Sequence, residues 1–93
     1  MKSHTTESFR KALKGLSKEL HKQARQAYRR FQADPSYPSL HFKKVHPTKP
    51  IYSARVGKGH RAVGILSEDE IVWFWIGSHK EYERVIAETT KTG

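Results

Sequence analysis

The spacing of apolar residues changes part-way along the chain, from the period of a helix to that of a strand. Phe9, Leu13 and Leu16 recur at intervals of four and three residues, which predicts a first helix over about residues 7–14. Gly15 suits a left-handed helix C-cap, and Ser17 suits the N-cap of a second helix over about residues 18–33. This second helix carries an apolar stripe formed by Leu20, Ala24, Ala27, Tyr28 and Phe31. The two helices are predicted to form a hairpin.

Beyond the hairpin the apolar period becomes two. Pro35 and Pro38 end the helical region, because proline lacks the N–H that a helix interior uses. Strands are predicted over residues 40–45, 51–56, 60–66 and 71–76, with a tight turn at Gly57-Lys58-Gly59. The last strand, Ile-Val-Trp-Phe-Trp-Ile, is apolar on both faces, which is typical of a central strand.

The C-terminal segment has the signals of a short helix. Gly77 ends the last strand, and Ser78 with Glu81 has the form of a capping box for a helix over about residues 79–88. Its packing face is Tyr82, Val85 and Ile86, and residues 89–93 are expected to be a frayed tail. The prediction is one α+β domain over residues 1–93: a two-helix hairpin packed on a curved, mainly antiparallel sheet of about four strands, then a short helix.

Charge narrows the choice of partner. The 93 residues contain 18 Lys or Arg against 9 Asp or Glu, a formal charge of +9, and the whole excess lies in residues 1–50. Polyanions such as RNA are therefore the expected partners. Cysteine is absent and the six histidines form no close ligand set, so we expect neither a metal nor another cofactor. No signal peptide or membrane span is apparent, and we expect a cytoplasmic protein without membrane contact.

Three residues in the second half offer chemistry for a phosphodiester. Arg55 leaves the apolar face of its strand by alternation, whereas Arg61 shares parity with Val63 and Ile65, which leaves its direction open. His79 falls on the first turn of the last helix, where free N–H groups favour an anion. RNA supplies its own nucleophile, the 2′-OH, so arginines that stabilise charge and a histidine that moves protons suffice without metal. Tyr82, on the same helix, is expected to stack on a base or to assist proton transfer.

Further basic residues are candidates for RNA binding. One row on the second helix lies roughly opposite the apolar stripe and comprises Lys18, Lys22, Arg25 and Arg29. Others lie along the strands, the turn at residues 57–59 and the last helix, namely Lys43, Lys44, Lys58, His60 and Lys80. The alternatives are a solvated helix face for the row, and a solvated strand face or an ion pair with residues 68–70 for Arg55 and Arg61. His79 is alternatively an ordinary helix-start residue, and Tyr82 a core residue.

The chain resembles the RelE/ParE superfamily of bacterial toxin proteins. The resemblance rests on the element order and on three segments, Pro50-Ile51-Tyr52-Ser53-Ala54-Arg55-Val56, Gly59-His60-Arg61-Ala62-Val63-Gly64 and Val72-Trp73-Phe74-Trp75-Ile76-Gly77-Ser78-His79. It implies the toxin of a type II toxin–antitoxin system, with a cognate antitoxin, the ribosome and mRNA as partners. The RelE branch cuts mRNA in the ribosomal A site without metal, whereas the ParE branch shares the fold and poisons DNA gyrase.

The resemblance also assigns roles to the catalytic candidates. Arg61 matches the arginine that contacts the scissile phosphate, and Arg55 matches a basic position of the preceding strand. Ser53 stands where some relatives have a second basic residue. His79 falls near an arginine or histidine used in proton transfer, and Tyr82 is similar to a C-terminal tyrosine. The expected function is a ribosome-dependent mRNA endoribonuclease, with a gyrase-directed toxin or a non-catalytic RNA-binding module as alternatives.

Overall fold

The α+β architecture is the predicted one. The structure, a computed structural model, describes residues 1–91. The elements, in chain order, are β1 (Lys2–Thr5), α1 (Glu7–Lys14), α2 (Lys18–Ala33), β2 (Lys43–Lys44), β3 (Ile51–Val56), β4 (His60–Ser67), β5 (Glu70–Ser78) and α3 (His79–Lys91). The predicted bounds of α1, α2 and β3 agree with those of the structure, and those of β4 and β5 differ at their ends.

The strands form one mixed sheet in the order β1-β5-β4-β3-β2. Neighbouring strands are antiparallel except β1, which runs parallel to β5. β5 therefore has a hydrogen-bonded neighbour on each side, which confirms its predicted central position. Ile71 and Trp73 are buried in the larger core on one face, whereas Phe74 and Trp75 are half-buried against the smaller core on the other, so β5 is covered on both faces.

Helices cover both faces of the sheet. On the hairpin face, α1 lies against β5 and α2 against β3, and the ring of Phe31 meets Trp73 edge to face at 5.3 Å. The core on this face also includes Leu40, Ala54, Val56, Ala62, Ile71 and Ile76. On the opposite face, which we call the α3 face, Tyr82 packs with Ile51 and Val63. The sheet thus has two cores, and α3 covers the smaller one.

Two strand predictions were wrong. The sheet has five strands instead of about four, because β1 carries mainly polar side chains and shows no apolar alternation. The strand predicted over residues 40–45 is reduced to Lys43–Lys44. Leu40 instead ends a 3-10 turn over Pro38–Leu40, and His41 takes a left-handed φ of 44° that breaks any extended run.

The helix ends also differ in part from expectation. Ser17 caps α2 as predicted, since its Oγ accepts a hydrogen bond from the backbone N–H of Leu20 at 3.2 Å. Gly15 is not left-handed, because its φ of −78° lies in the right-handed region. Tyr28 is exposed on α2, whereas the rest of the predicted stripe is buried or half-buried. α3 continues to Lys91, so residues 89–91 are helical, and residues 92–93 lie outside the described part of the chain.

Candidate functional site

The register between β3 and β4 brings the two candidate arginines together. Arg55 and Arg61 are direct cross-strand partners. Partners in such a pair project from the same face of the sheet. That face is the α3 face, because Val63, two residues from Arg61, packs there against Tyr82. The structure therefore settles the direction of Arg61, which alternation had left open.

Arg61 joins three separate parts of the chain. Its Nη2 donates to Ser53 Oγ at 2.8 Å and to the carbonyl oxygen of His41 at 3.3 Å. Its guanidinium lies 5.1 Å from the ring centroid of Tyr82 on α3. Ser53 is fully buried, and its Oγ also accepts a hydrogen bond from the Tyr82 hydroxyl at 3.4 Å. We call Arg61, Ser53 and Tyr82 the Arg61 network.

In the Arg61 network, part of the Arg61 guanidinium is buried or bound to the protein itself, so those N–H groups are not available to a phosphate. Nε of Arg61 is buried and has no hydrogen-bond partner among the described residues, and Nη2 is shared between two acceptors of the protein itself. Arg55 differs: its Nε donates to the carbonyl oxygen of Gly57 at 2.9 Å, and neither Nη group has a partner within the described chain. Of the two arginines, Arg55 is the better placed to bind a phosphate. Neither arginine pairs with residues 68–70, so the predicted ion-pair alternative is wrong.

His79 extends the same row of side chains to the start of α3. Its ring centroid lies 5.8 Å from that of Tyr82, and its Nε2 lies 3.3 Å from Glu83 Oε1. The His79 side chain is 58% exposed, so it is accessible to a ligand. Arg61, Tyr82 and His79 thus follow one another across the α3 face, and Arg55 stands beside Arg61 in the strand register. Because Tyr82 is buried, it occupies the core position that was one of its two predicted readings.

The N-terminus of α3 is capped by its own residues. Ser78 donates to Glu81 Oε1 through its N–H at 3.4 Å and its hydroxyl at 2.9 Å, and Ser78 Oγ accepts from the Glu81 N–H at 3.2 Å. The hydrogen bonds from Ser78 hold the pKa of the Glu81 carboxyl below its ordinary value of 4.5. The His79 N–H donates to the carbonyl oxygen of Gly59 at 2.8 Å. The capping box is confirmed, and the expected free N–H groups for an anion are largely occupied.

The predicted RNA-binding residues are distributed over both faces. Lys43 pairs with Ser53 and therefore lies on the α3 face, whereas Lys44 pairs with Tyr52 and lies on the hairpin face. Lys58 and His60 lie at the β3–β4 turn, and Lys80 is exposed on the first turn of α3. The four residues of the α2 row are all exposed: Lys18, Lys22, Arg25 and Arg29. Since α2 covers the hairpin face, this row lies apart from the Arg61 network.

Two grooves flank α2. An apolar groove of about 500 Å³ lies between α1, α2 and the sheet, and its lining includes Leu13, Ala24, Ala27, Val56 and Trp73, with His21 and Arg25 also contributing. A polar groove of about 620 Å³ lies between α2 and the β3–β4 turn, and its lining includes Gln23, Gln26, Arg30, Ser39 and Arg55. Sequence reasoning missed Gln23, Gln26, Arg30 and Ser39, because no spacing signal distinguishes them from other exposed residues.

The sequence profile of a ParE-like toxin domain matches residues 18–84. The chain belongs to the ParE-like toxin family. The match includes the four catalytic candidates, Arg55, Arg61, His79 and Tyr82, and it confirms the resemblance to RelE/ParE toxins. No curated protein matches the sequence.

Solved structures show the same fold as this ParE-like chain. The RelB–RelE antitoxin–toxin complex from Methanococcus jannaschii matches with a TM-score of 0.71 and 20% identity, covering 88% of this chain and 96% of that one. The archaeal RelE–RelB complex from Pyrococcus horikoshii OT3 gives 0.67 and 17% identity, covering 83% and 92%. YafQ from Escherichia coli strain BL21(DE3) gives 0.67 and 13%, covering 86% and 94%. At these identities the likeness establishes the fold.

Two classes of feature were not found in the described residues. Residues 1–91 contain no cluster of three or more His, Asp or Glu side chains arranged to hold a metal ion. No helix in this part of the chain is both long enough and apolar enough to cross a membrane.

Proposed function

We propose that this ParE-like chain is the toxin of a type II toxin–antitoxin system and acts in the cytoplasm as a ribosome-dependent mRNA endoribonuclease. One observation carries the proposal: Arg61, Tyr82 and His79 form a row on the α3 face, and Arg55, the cross-strand partner of Arg61, stands at the end of this row. A row of guanidinium and imidazole groups matches the needs of phosphodiester cleavage, in which negative charge develops on phosphate oxygens and protons move.

In the proposed reaction the RNA provides the nucleophile. The ribose 2′-oxygen attacks the adjacent phosphorus, its proton passes to a base, and the bond to the 5′-oxygen breaks as that oxygen gains a proton. The products are a 2′,3′-cyclic phosphate and a free 5′-hydroxyl. No metal or other cofactor enters this scheme, and water is not consumed in this step.

The geometry suggests a different role for each member of the row. Arg55, with both Nη groups available, binds the phosphate oxygens as negative charge grows on them. His79 moves the proton, with its imidazole oriented by the Glu83 carboxylate at 3.3 Å. Tyr82 directs its hydroxyl at Ser53, so its role in this scheme is to hold Arg61 in position. Lys43 and Lys80, exposed at the margins of the row, would contact neighbouring phosphates.

The test is cleavage of a short message on programmed ribosomes, with products mapped to the A site. His79→Ala is expected to reduce the cleavage rate about 10²–10⁴-fold, because it removes the proton carrier. His4→Ala is the matched control, since His4 is also an exposed histidine near a carboxylate, 3.9 Å from Glu70 on β5. Intact message at stoichiometric wild-type protein would refute the endoribonuclease proposal.

A gyrase-directed toxin is the second candidate function. The observation that favours it is the internal use of Arg61, whose Nη2 is bound by Ser53 and His41 while Ser53 itself occupies a position that is basic in some relatives. A toxin that acts by binding to the surface of gyrase does not need two arginines with N–H groups free to bind a phosphate. Inhibited supercoiling or trapped DNA breaks with purified gyrase, without A-site cuts, would support this function. Binding to RNA without either signal would instead indicate a non-catalytic RNA-binding module.

The proposed protein partner is a cognate antitoxin that occupies the apolar groove. The groove exposes parts of Leu13, Ala24 and Ala27, and Arg25 and His21 supply basic groups to its lining. An apolar helix flanked by acidic residues fits this combination of shape and charge. Ala24→Asp would place a carboxylate among these apolar side chains. We expect Ala24→Asp to weaken rescue of cell growth by a co-expressed cognate antitoxin, while Glu7→Gln, which removes an exposed charge on α1, leaves rescue intact.

The α2 row is proposed as the surface that docks on ribosomal RNA. Its four exposed cations lie on the hairpin face, away from the Arg61 network. Replacing Lys18, Lys22 and Arg29 by Gln is expected to weaken ribosome association and its salt dependence without altering the rate of cleavage once bound. Unchanged affinity would identify the row as a solvated helix face.

A further inference from the structure

The polar groove combines positive charge from both halves of the chain. Arg30 comes from α2, whereas Arg55 and Lys58 come from the β3–β4 region, which also contributes the imidazole of His60 to the lining. No Asp or Glu is among the described residues that line the groove. The first half of the sequence carries the charge excess and the second half carries the catalytic candidates. In this groove, cations from both halves of the chain lie together.

The two arginines are held in ways that suit anion binding. Arg30 donates through Nη1 to Ser39 Oγ at 3.3 Å, and its guanidinium lies 5.3 Å from the ring centroid of Tyr37. Arg55 is anchored at Nε by the carbonyl oxygen of Gly57, which leaves its Nη groups available. A guanidinium with one anchored edge loses less conformational entropy on binding and presents the remaining N–H groups as a fork for phosphate.

Uncharged polar side chains and open turn backbone also line the groove, next to the cations. Gly57 has a left-handed φ of +63°, and a Cβ there would collide with the Gln23 carboxamide, so the turn and α2 approach closely. Nothing lies within 4 Å of a Cβ built on Gly59, which leaves the backbone of the turn open. Gln23 and Gln26 add carboxamides that both donate and accept hydrogen bonds, as ribose hydroxyls and base edges require.

We propose that the polar groove binds the phosphate backbone of single-stranded RNA. The inference rests on the proposed function, because it takes RNA as the target and adds a second contact to it. Arg55 belongs to the groove and is also the cross-strand partner of Arg61. His60, also in the groove lining, pairs with Ser78, immediately before His79. In this proposal the RNA strand leaves the groove at Arg55, passes from the hairpin side to the α3 face and reaches the row of catalytic candidates, so that the groove holds nucleotides that flank the cleaved bond.

The test is binding of a fluorescent RNA of about twelve 2′-O-methyl nucleotides, a length within the range that single-strand sites cover. The methyl groups block the 2′-oxygens, so binding is measured without cleavage. Arg30→Gln is expected to weaken binding about 10- to 100-fold, the range for loss of a charge-assisted contact. It should also reduce the slope of log affinity against log salt by about 0.7 for each lost phosphate contact.

Arg10→Gln is the matched control. Arg10 is an exposed arginine on α1 whose Nη1 is likewise anchored, by the carbonyl oxygen of Thr5 at 2.7 Å, but it lies outside the groove. Removing it changes net charge by the same amount and should leave affinity within about twofold, as for a surface change remote from the site. Thermal unfolding of both variants establishes that each is folded.

The outcomes separate this inference from the proposed function. Selective loss of affinity in Arg30→Gln, together with an intact message on ribosomes, would keep the groove and refute the endoribonuclease. A-site cleavage with equal RNA affinity for wild type and Arg30→Gln would refute the groove. Equal weakening by Arg30→Gln and Arg10→Gln, or no RNA binding by the wild type, would also overturn the inference. The same holds if Arg30→Gln lowers the affinity for a poly-glutamate peptide and leaves the affinity for RNA unchanged.

Discussion

Ser53→Ala is the sharpest test of the Arg61 network. The hydroxyl of Ser53 is fully buried and accepts hydrogen bonds from Arg61 Nη2 at 2.8 Å and from the Tyr82 hydroxyl at 3.4 Å. A hydrogen bond from a charged donor contributes about 1.5–3 kcal/mol, whereas the long bond from Tyr82 belongs at the low end of the neutral range, about 0.5 kcal/mol. Arg61 keeps the His41 carbonyl as an acceptor at 3.3 Å, which offsets part of the loss.

The expected net cost is therefore about 1.5–3 kcal/mol in the free energy of unfolding. For a domain of this size, about 4–8 °C of Tm correspond to each kcal/mol, so Tm should fall by about 6–24 °C. Urea unfolding followed by tryptophan fluorescence measures the free energy, with Trp73 and Trp75 on β5 as probes.

The control for this variant is Ser39→Ala. Ser39 Oγ also accepts a hydrogen bond from an arginine, Arg30, but Ser39 is exposed and the bond is longer, at 3.3 Å. Its loss should change stability by less than about 0.5 kcal/mol. If Ser53→Ala also remains within that margin, the buried hydroxyl does not hold Arg61 and Tyr82 together, and the assigned role of Tyr82 is lost with it.

Three other changes test local packing and capping. Gly64→Ala places a Cβ 2.9 Å from the Trp73 side chain and should cost about 1–3 kcal/mol in urea unfolding, whereas Gly59→Ala, in open space, should be near neutral; equal effects would contradict this reasoning. The lowered pKa of Glu81 means that its ionised carboxylate stabilises the fold above pH 4.5, so Glu81→Gln should lower Tm near pH 7, and this difference should shrink as the pH falls below 4.5; a constant difference would exclude the linkage. His46 Nδ1 accepts hydrogen bonds from the backbone N–H groups of Thr48 and Lys49 at 3.1 and 2.9 Å. His46→Ala should therefore lower the free energy of unfolding by about 1–3 kcal/mol, and His46→Asn, which keeps an acceptor, should lower it less. Similar losses in the two variants would rule out the acceptor role.

The elements that were predictable are those whose own residues specify them. α2 has an apolar stripe and a serine cap, and β5 has an apolar run bounded by polar residues and glycine. β1 has no such signal, because it is held by its neighbour: the N–H of Lys2 donates to the Asp69 carbonyl, and Trp73 Nε1 donates to Ser3 Oγ at 3.0 Å. Contacts between residues 70 positions apart leave no periodic pattern within four residues of sequence.

The alternation of apolar residues also predicts the wrong conformation for the segment before β2, because contacts with the rest of the fold determine it. Leu40 and Phe42 are two residues apart, as in a strand, yet Leu40 reaches the hairpin core from a 3-10 turn. Tyr37 and Leu40 are linked by an i,i+3 backbone hydrogen bond at 3.0 Å, which an extended chain does not form. Burial of Leu40 at 1% exposure is compatible with either conformation, so the apolar pattern alone does not choose between them.

The face of Arg55 was predictable from the sequence, but the face of Arg61 and the internal bonding of the site were not. Alternation placed Arg55 away from the hairpin, and the cross-strand register then places Arg61 beside it. Ser53 accepts a hydrogen bond from Arg61 because the two residues are diagonal neighbours on adjacent strands. It accepts a second one from Tyr82 because α3 lies above those strands. A serine in a strand carries no sequence signal for either condition.

The two grooves beside α2 explain how the uneven distribution of charge along the sequence is arranged in the folded protein. In sequence, the cations of the first half and the catalytic candidates of the second half are separate features. In the structure, Arg30 and Arg55 line the same polar groove, whereas Arg25 contributes to the apolar groove. Neighbouring turns of one helix thus contribute to both proposed partner sites. An antitoxin helix seated near Arg25 would bring its acidic residues close to α2 and lower the positive potential that attracts RNA to the polar groove. If both proposed sites are correct, neutralisation would not require the antitoxin to cover Arg55 or His79, since loss of the electrostatic attraction along α2 would by itself weaken binding of RNA.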